Sequence, residues 1–167
     1  MSRRIEFTAN YTRPAAEIHR TLTDEGFWRN RVEQGADKGL TLAHLTAGEG
    51  TIDVALAQDI DKAALPGVVS KILKGELSIT RGEVWGPLTD GKAEGTFSTT
   101  ATGIPINASG TATLVDTAEG STLTVEGDVE VSVRLIGGTI EGLVTEQILG
   151  ILAKDQEVVE EWITANS

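Results

Sequence analysis

The chain has 167 residues, of which 40% are hydrophobic and 23% charged, and a formal net charge of −11. That length supports one substantial core, and a single domain over 1–167 is expected. The absence of cysteine excludes a disulfide framework, a thiolate nucleophile and cysteine-based metal or iron–sulfur sites, and the acidic balance argues against nucleic acid or an anionic membrane as a partner, because phosphate neutralisation needs clustered Lys and Arg.

Arg3-Arg4 precedes an alternating segment rather than an apolar run, so no secretory signal is read there. No stretch approaches membrane-spanning length, and a cytoplasmic protein without stable membrane insertion is the expectation.

Ile5, Phe7, Ala9 and Tyr11 alternate with polar residues and predict a first strand. Pro14, at a position where its missing N–H costs little, predicts a helix carrying Ala15, Ile18 and Leu22 on one stripe. A second short helix is expected from Thr23 as N-cap, with Phe27, Trp28 and Val32, ending near Gly35. Two short helices directly after one strand are an informative order.

Leu40–Leu45 and Ile52–Ile60 read as strands joined by a turn at Gly48-Glu49-Gly50. Leu65, Val68, Val69, Ile72 and Leu73 fall at helical spacing and predict a small amphipathic helix stopped by Gly75. Four further strands are expected over Glu76–Trp85, Lys92–Ala101, Ile104–Val115 and Ser121–Arg134, with Thr89-Asp90-Gly91 as a turn. In the last, Leu123, Val125, Gly127, Val129, Val131 and Val133 share one face and Thr, Glu and Asp the other, which is a sheet with one dry side.

At Gly137-Gly138-Thr139 the period changes once, from two to that of a helix. Ile140 to Trp162 then reads as one long helix, with Ile140, Leu143, Val144, Ile148, Ile151, Leu152, Val158, Val159 and Trp162 on a broad apolar stripe. Its C-terminal end carries Glu157, Glu160 and Glu161, unfavourable for the helix dipole, so packing of Val159 and Trp162 is expected to hold it. A curved antiparallel sheet followed by one long helix buries both apolar faces when the sheet wraps the helix.

Strand, two short helices, six strands and a long C-terminal helix is the helix-grip order. On the Ile5-Glu6-Phe7 strand, the Pro14 helix followed by Phe27-Trp28, and Gly137-Gly138-x-Ile140-Glu141, the chain resembles the START-like superfamily, also called SRPBCC or polyketide-cyclase-like. Within it the chain is similar to an uncharacterised actinobacterial family. The resemblance spans nearly the whole chain and implies an α+β fold with a seven-stranded sheet gripping the last helix. It also implies a pocket for lipid-, sterol- or polyketide-like molecules, and it implies no particular reaction, since some members of the superfamily are enzymes.

His19 and His44 are the candidates for acid–base work. His19 is expected at the surface of its helix; His44 shares strand parity with Leu40 and Leu42 and is placed to face inward. No His-x-Glu or His-x-x-x-His spacing occurs, so no metal is expected, and neither a phosphate-binding loop nor a nucleophile elbow appears, so no cofactor is expected either. Arg81, Glu83 and Trp85 share a strand face if no bulge occurs at Gly82. They read either as an inward pair that orients a polar head group or as a solvated outer-face ion pair. Ala93, Gly95, Ala108, Gly110, Ala112 and Gly127 either hollow out a cavity or let the last helix approach the sheet.

The favoured function is binding or carriage of a small hydrophobic molecule between sheet and last helix, without catalysis. Trp28, Leu56, Trp85, Phe97, Ile106, Leu143, Gln147 and Ile151 are the expected ligand-binding residues, with Trp28 and the Leu65–Leu73 segment flanking the mouth. Two alternatives stand beside it. One is a cyclase- or dehydratase-type enzyme using His44 or Arg81–Glu83. The other is an interaction module with a filled core, whose acidic surface meets a protein partner or a second copy of the chain.

Overall fold

The structure is a computed structural model and describes residues 2–166. Strand β1 (Ser2–Tyr11) leads into two helices, α1 (Ala15–Leu22) and α2 (Glu25–Gly35). Strands β2 (Leu40–Gly48) and β3 (Thr51–Ile60), the short helix α3 (Gly67–Ser70) and strands β4 (Leu77–Trp85), β5 (Lys92–Thr102), β6 (Ile106–Thr117) and β7 (Gly120–Val131) follow, and α4 (Gly137–Ala165) closes the chain.

The seven strands form one antiparallel sheet in the order β1-β7-β6-β5-β4-β3-β2. This order explains the early helices: α1 and α2 carry the chain from one edge of the sheet to the other. From there a meander of hairpins returns to β7, which pairs with β1 over the whole of that strand. The turns follow from residue type, Gly50 and the Asp90-Gly91 pair taking the positive φ that tight hairpins require. Helix α4 packs on β1, β7 and α1, while α2 packs on β2 and β3. This is the expected helix-grip fold, an α+β architecture.

Several boundaries move, each for a local reason. Asp24 rather than Thr23 caps α2, its carboxylate accepting from the Gly26 N–H at 2.8 Å. Helix α3 spans four residues instead of nine. So short a helix gains little from its own hydrogen bonds, and beyond it Leu73 turns down to pack where Gly103 has no side chain. Strand β7 ends at Val131, and the break before α4 falls at Leu135, at φ 68°. Gly137 already belongs to α4, lying so near Val131 that a Cβ would come 2.9 Å from its carbonyl oxygen.

Helix α4 is held at both ends by the contacts its residue types allow. Near the N-terminus Glu141 is buried, and its Oε2 accepts the Val131 N–H at 3.1 Å. At the C-terminus Val159 is buried and Trp162 meets Phe27 edge-on, ring centroids 5.7 Å apart. That contact adds about 1 kcal/mol beyond area burial.

Candidate functional site

Alternation along β4 places Arg81, Glu83 and Trp85 on the inner face. The register with β3 and β5 runs through Gly82 without a bulge. Glu83 therefore sits between Val54 and Phe97 in a cross-strand row that continues through Gly110 and Gly127 to Ile5. The inward reading of the Arg81–Glu83 pair is the one the fold adopts.

The glycines serve neither of the two expected purposes. A Cβ on Gly110 or Gly127 would come within 2.6 Å or 2.8 Å of the Phe97 ring, and one on Gly95 within 2.9 Å of Trp85. The strand glycines thus make room for aromatic rings from their own sheet, which pave its inner surface. Gly142 of α4 faces the Arg3 guanidinium, and Gly150 has nothing within 4 Å.

Between this paved surface and α4 lies a cavity of about 400 Å³, within the range of small-molecule pockets. One end is aliphatic, with Val69, Leu77, Ile104, Ile106, Ile140 and Ile148 on its walls. The opposite end carries Tyr11, Arg81, Glu83, Trp85 and Asp155. Leu65, Pro66, Gln147 and Ile151 also line it; Gln147 is exposed and Ile151 is 41% exposed, which puts both on the rim.

At the polar end, ion pairs converge from three elements. Asp155 of α4 takes both Arg81 Nη1 and Nη2 and, at 2.7 Å, Nη1 of Arg31 from α2. The Trp85 indole N–H donates to Glu83 Oε1 at 2.8 Å, and Glu83 Oε2 stands 3.8 Å from Arg81 Nη2. Burial alone would raise the Asp155 carboxyl, but the two guanidiniums outweigh it and hold it below the usual carboxylate range. Glu83 goes the other way: burial pushes it up and Asp155 adds to the rise, and Arg81 with the Trp85 N–H offsets only part. Arg81 is raised despite its burial, by Asp155 and Glu83. Tyr11, 4% exposed, is pushed up by burial and then by the carboxylates of Asp155, Glu83 and Glu160, so it is a neutral phenol across the working pH range.

Leu56, Trp85, Phe97, Ile106, Leu143, Gln147 and Ile151 line the cavity; Trp28 does not. Trp28 is 2% exposed and packed inside the core against Phe27, with its indole N–H on the Leu22 carbonyl at 2.7 Å, so it flanks no mouth. Both histidines sit contrary to expectation. His19 is buried, and its Nε2–H donates to the Gly86 carbonyl at 2.9 Å, tying α1 to the loop after β4. His44 lies outside. A β-bulge between Leu42 and His44 adds one residue to β2, so Leu45 rather than His44 pairs with Val54. The imidazole turns outward to Asp53 at 2.7 Å, and the apolar interior receives a leucine.

Tyr11, Arg31 and Asp155 were not among the residues expected at the site. Asp155 carries a readable signal, since it falls three and four residues after Leu152 and Ile151, a lone carboxylate on the apolar stripe. Tyr11 sits in register with an apolar strand face. Arg31 has no such signal. Among the described residues no group of three or more His, Asp or Glu is placed to hold a metal ion, and no helix is long and apolar enough to cross a membrane.

Fold and cavity together define an α+β helix-grip protein with an interior cavity. The structure of norcoclaurine synthase from Thalictrum flavum in complex with dopamine and hydroxybenzaldehyde superposes with a TM-score of 0.64 over 100% of this chain and 89% of that one, at 13% identity. The protein TTHA0849 from Thermus thermophilus gives 0.63 over 99% of each chain, also at 13% identity. At the sequence level, residues 6–163 match the family described as Protein of unknown function (DUF2505), and the chain belongs to that family. The uncharacterized protein Rv0481c of Mycobacterium tuberculosis is 31% identical over 173 residues, covering 99% of both chains.

Proposed function

We propose that this protein binds or carries a small, largely apolar molecule between the sheet and α4. The observation that supports this reading is the cavity of about 400 Å³, open at the Gln147–Ile151 rim, which also weighs against an interaction module with a filled core. Roughly 300 Å² of ligand surface buried at about 25 cal/mol per Å² supplies on the order of 7 kcal/mol before association costs. A polar contact at the charged end adds to that.

Native mass spectrometry of protein purified from its source tests the reading, with a co-purifying apolar mass expected. An environment-sensitive apolar dye gives the second measurement. Ile148→Trp, which fills the aliphatic end, is expected to weaken dye binding at least tenfold while the fold persists. A dye that binds the filled variant equally well, together with no co-purifying mass, would end the carrier proposal.

A second reading, a cyclase- or dehydratase-type enzyme, is favoured by one observation: a raised carboxyl, Glu83, beside a depressed one, Asp155, inside the same cavity. His44 has no part in it. Glu83→Gln would then abolish turnover of a co-purified ligand while leaving its binding intact.

A further inference from the structure

Three segments meet at the aliphatic end of the cavity: the stretch 61–76 around α3, the turn 103–105 before β6, and the link 132–136 between β7 and α4. The Lys74 N–H donates to the Gly103 carbonyl and the Ser132 N–H to the Pro105 carbonyl, each at 3.1 Å. Leu65, Val68 and Ile72 of the first segment pack against the same buried cluster as Val133 and Ile136 of the third. The inner side of this end is cavity wall, where Leu65, Pro66, Val69 and Ile104 stand.

The outer side differs from the rest of the surface in two independent ways. Leu135 is fully exposed and holds φ at 68°, a left-handed conformation that Gly or Asn adopts with far less strain. An apolar side chain is thus kept at the tip of the link against both solvation and backbone geometry, a combination that marks a functional position. Charge is the second difference. These segments carry Lys62, Lys71, Lys74 and Arg134 against Asp61 and Glu76, in a chain whose net charge is −11. All four cations are exposed, and none is in an ion pair among the described residues.

An apolar tip among unpaired cations fits an anionic bilayer. A single leucine can enter the boundary between headgroups and acyl chains, whereas a protein partner needs roughly 800 Å² of matched surface from this side. Each Lys or Arg near an anionic leaflet adds about fivefold in affinity. The acidic excess lies on the rest of the molecule and is repelled by the same leaflet, so attachment has one orientation, with the aliphatic end of the cavity against the membrane.

Resting on the carrier reading, we infer that this end docks reversibly on anionic membranes, Leu135 entering the bilayer and the four cations meeting the headgroups, and that apolar cargo passes between membrane and cavity there.

Co-sedimentation of the full chain with vesicles tests the docking, comparing phosphatidylcholine alone with an equal mixture of phosphatidylcholine and phosphatidylglycerol. At low salt the mixed vesicles are expected to bind at least tenfold more tightly, and about 0.5 M salt should remove most of that preference. Leu135→Asp is expected to weaken vesicle binding at least tenfold and to slow transfer of the apolar dye from vesicles, with dye affinity in free solution unchanged. Leu135→Gly relieves the strain, so it is expected to raise Tm while still weakening vesicle binding severalfold. Lys71→Glu with Lys74→Glu should abolish the preference for the anionic lipid, and Lys92→Glu, at the other end of β5, should leave it. Equal binding to both vesicle types, or Leu135→Asp binding as tightly as wild type, overturns the docking inference, and intact dye binding then spares the carrier reading. A chain that docks but binds no dye overturns the carrier reading and the passage of cargo with it. A wild-type chain that binds neither dye nor vesicles overturns both.

Discussion

The two ends of the cavity are built on opposite physical principles. At the aliphatic end Leu77, Ile104, Ile106, Ile140 and Ile148 exclude water by packing. Such burial is non-directional and roughly additive, so each side chain contributes its own area and tolerates a neighbour's change. At the polar end Arg31, Arg81, Glu83 and Asp155 retain between 15% and 22% of their side-chain surface. There, each charge is tolerable only because the others are in place. One end is a sum, the other a network, and they should fail differently.

The largest difference is expected at Asp155. Asp155→Ala leaves two guanidiniums without their shared partner and should cost about 3–5 kcal/mol in urea unfolding; a loss below about 1 kcal/mol would show that water already screens the network. Ile140→Ala, its counterpart at the aliphatic end, should cost about 2–4 kcal/mol. That loss should be independent of pH, since no titrating group is involved.

A third comparison lies inside the network. The folded state holds Glu83 above its ordinary value, so it favours the protonated form. The stability linked to that proton is fully present below the unfolded pKa and is lost as pH rises through the folded one. Glu83→Gln should therefore be more stabilising, relative to wild type, at pH 8 than at pH 4. Asp155 is displaced in the other direction, so its contribution is present above its unfolded pKa and lost as pH falls through the folded value. Asp155→Asn should accordingly lose least, relative to wild type, in acid. Unfolding curves at pH 8 and pH 4 measure the first and, because the Asp155 contribution is lost only below its ordinary carboxylate value, curves at pH 4 and pH 2 measure the second; parallel pH profiles for the two variants would contradict opposite displacement. The smallest effect is expected outside the cavity, where the His44–Asp53 pair is more than half exposed. His44→Ala should change stability by less than about 1 kcal/mol and leave dye binding unaltered.

Much of this molecule was legible because side-chain period is a local property. Alternation in β1, β3 and β5–β7 identified the dry face, that of β4 stayed open between two readings, and helical spacing in α4 identified the stripe against it. Seven of the eight residues expected at the cavity line it, most of them for that reason. Trp28 fails because an aromatic at helical spacing reads alike whether it faces a cavity or, as here, fills the core and hydrogen-bonds to Leu22. The roles of Gly95, Gly110 and Gly127 stayed hidden too, since the rings beside them belong to other strands.

Periodicity in the chain by itself determined the element order, the helix-grip architecture and the dry face of β1, β3 and β7, all set by contacts within a few residues or by the need to bury an apolar face; the face of β4 and that of the first half of β2 it left open or misplaced. Tertiary structure alone decided the bulge that sends His44 outward and Leu45 inward. It also decided the meeting of Asp155 with Arg81 and Arg31, 74 and 124 positions away. A charge leaves no periodic trace of its distant partner, and whether it is buried, and with what, depends on which elements the whole fold brings together.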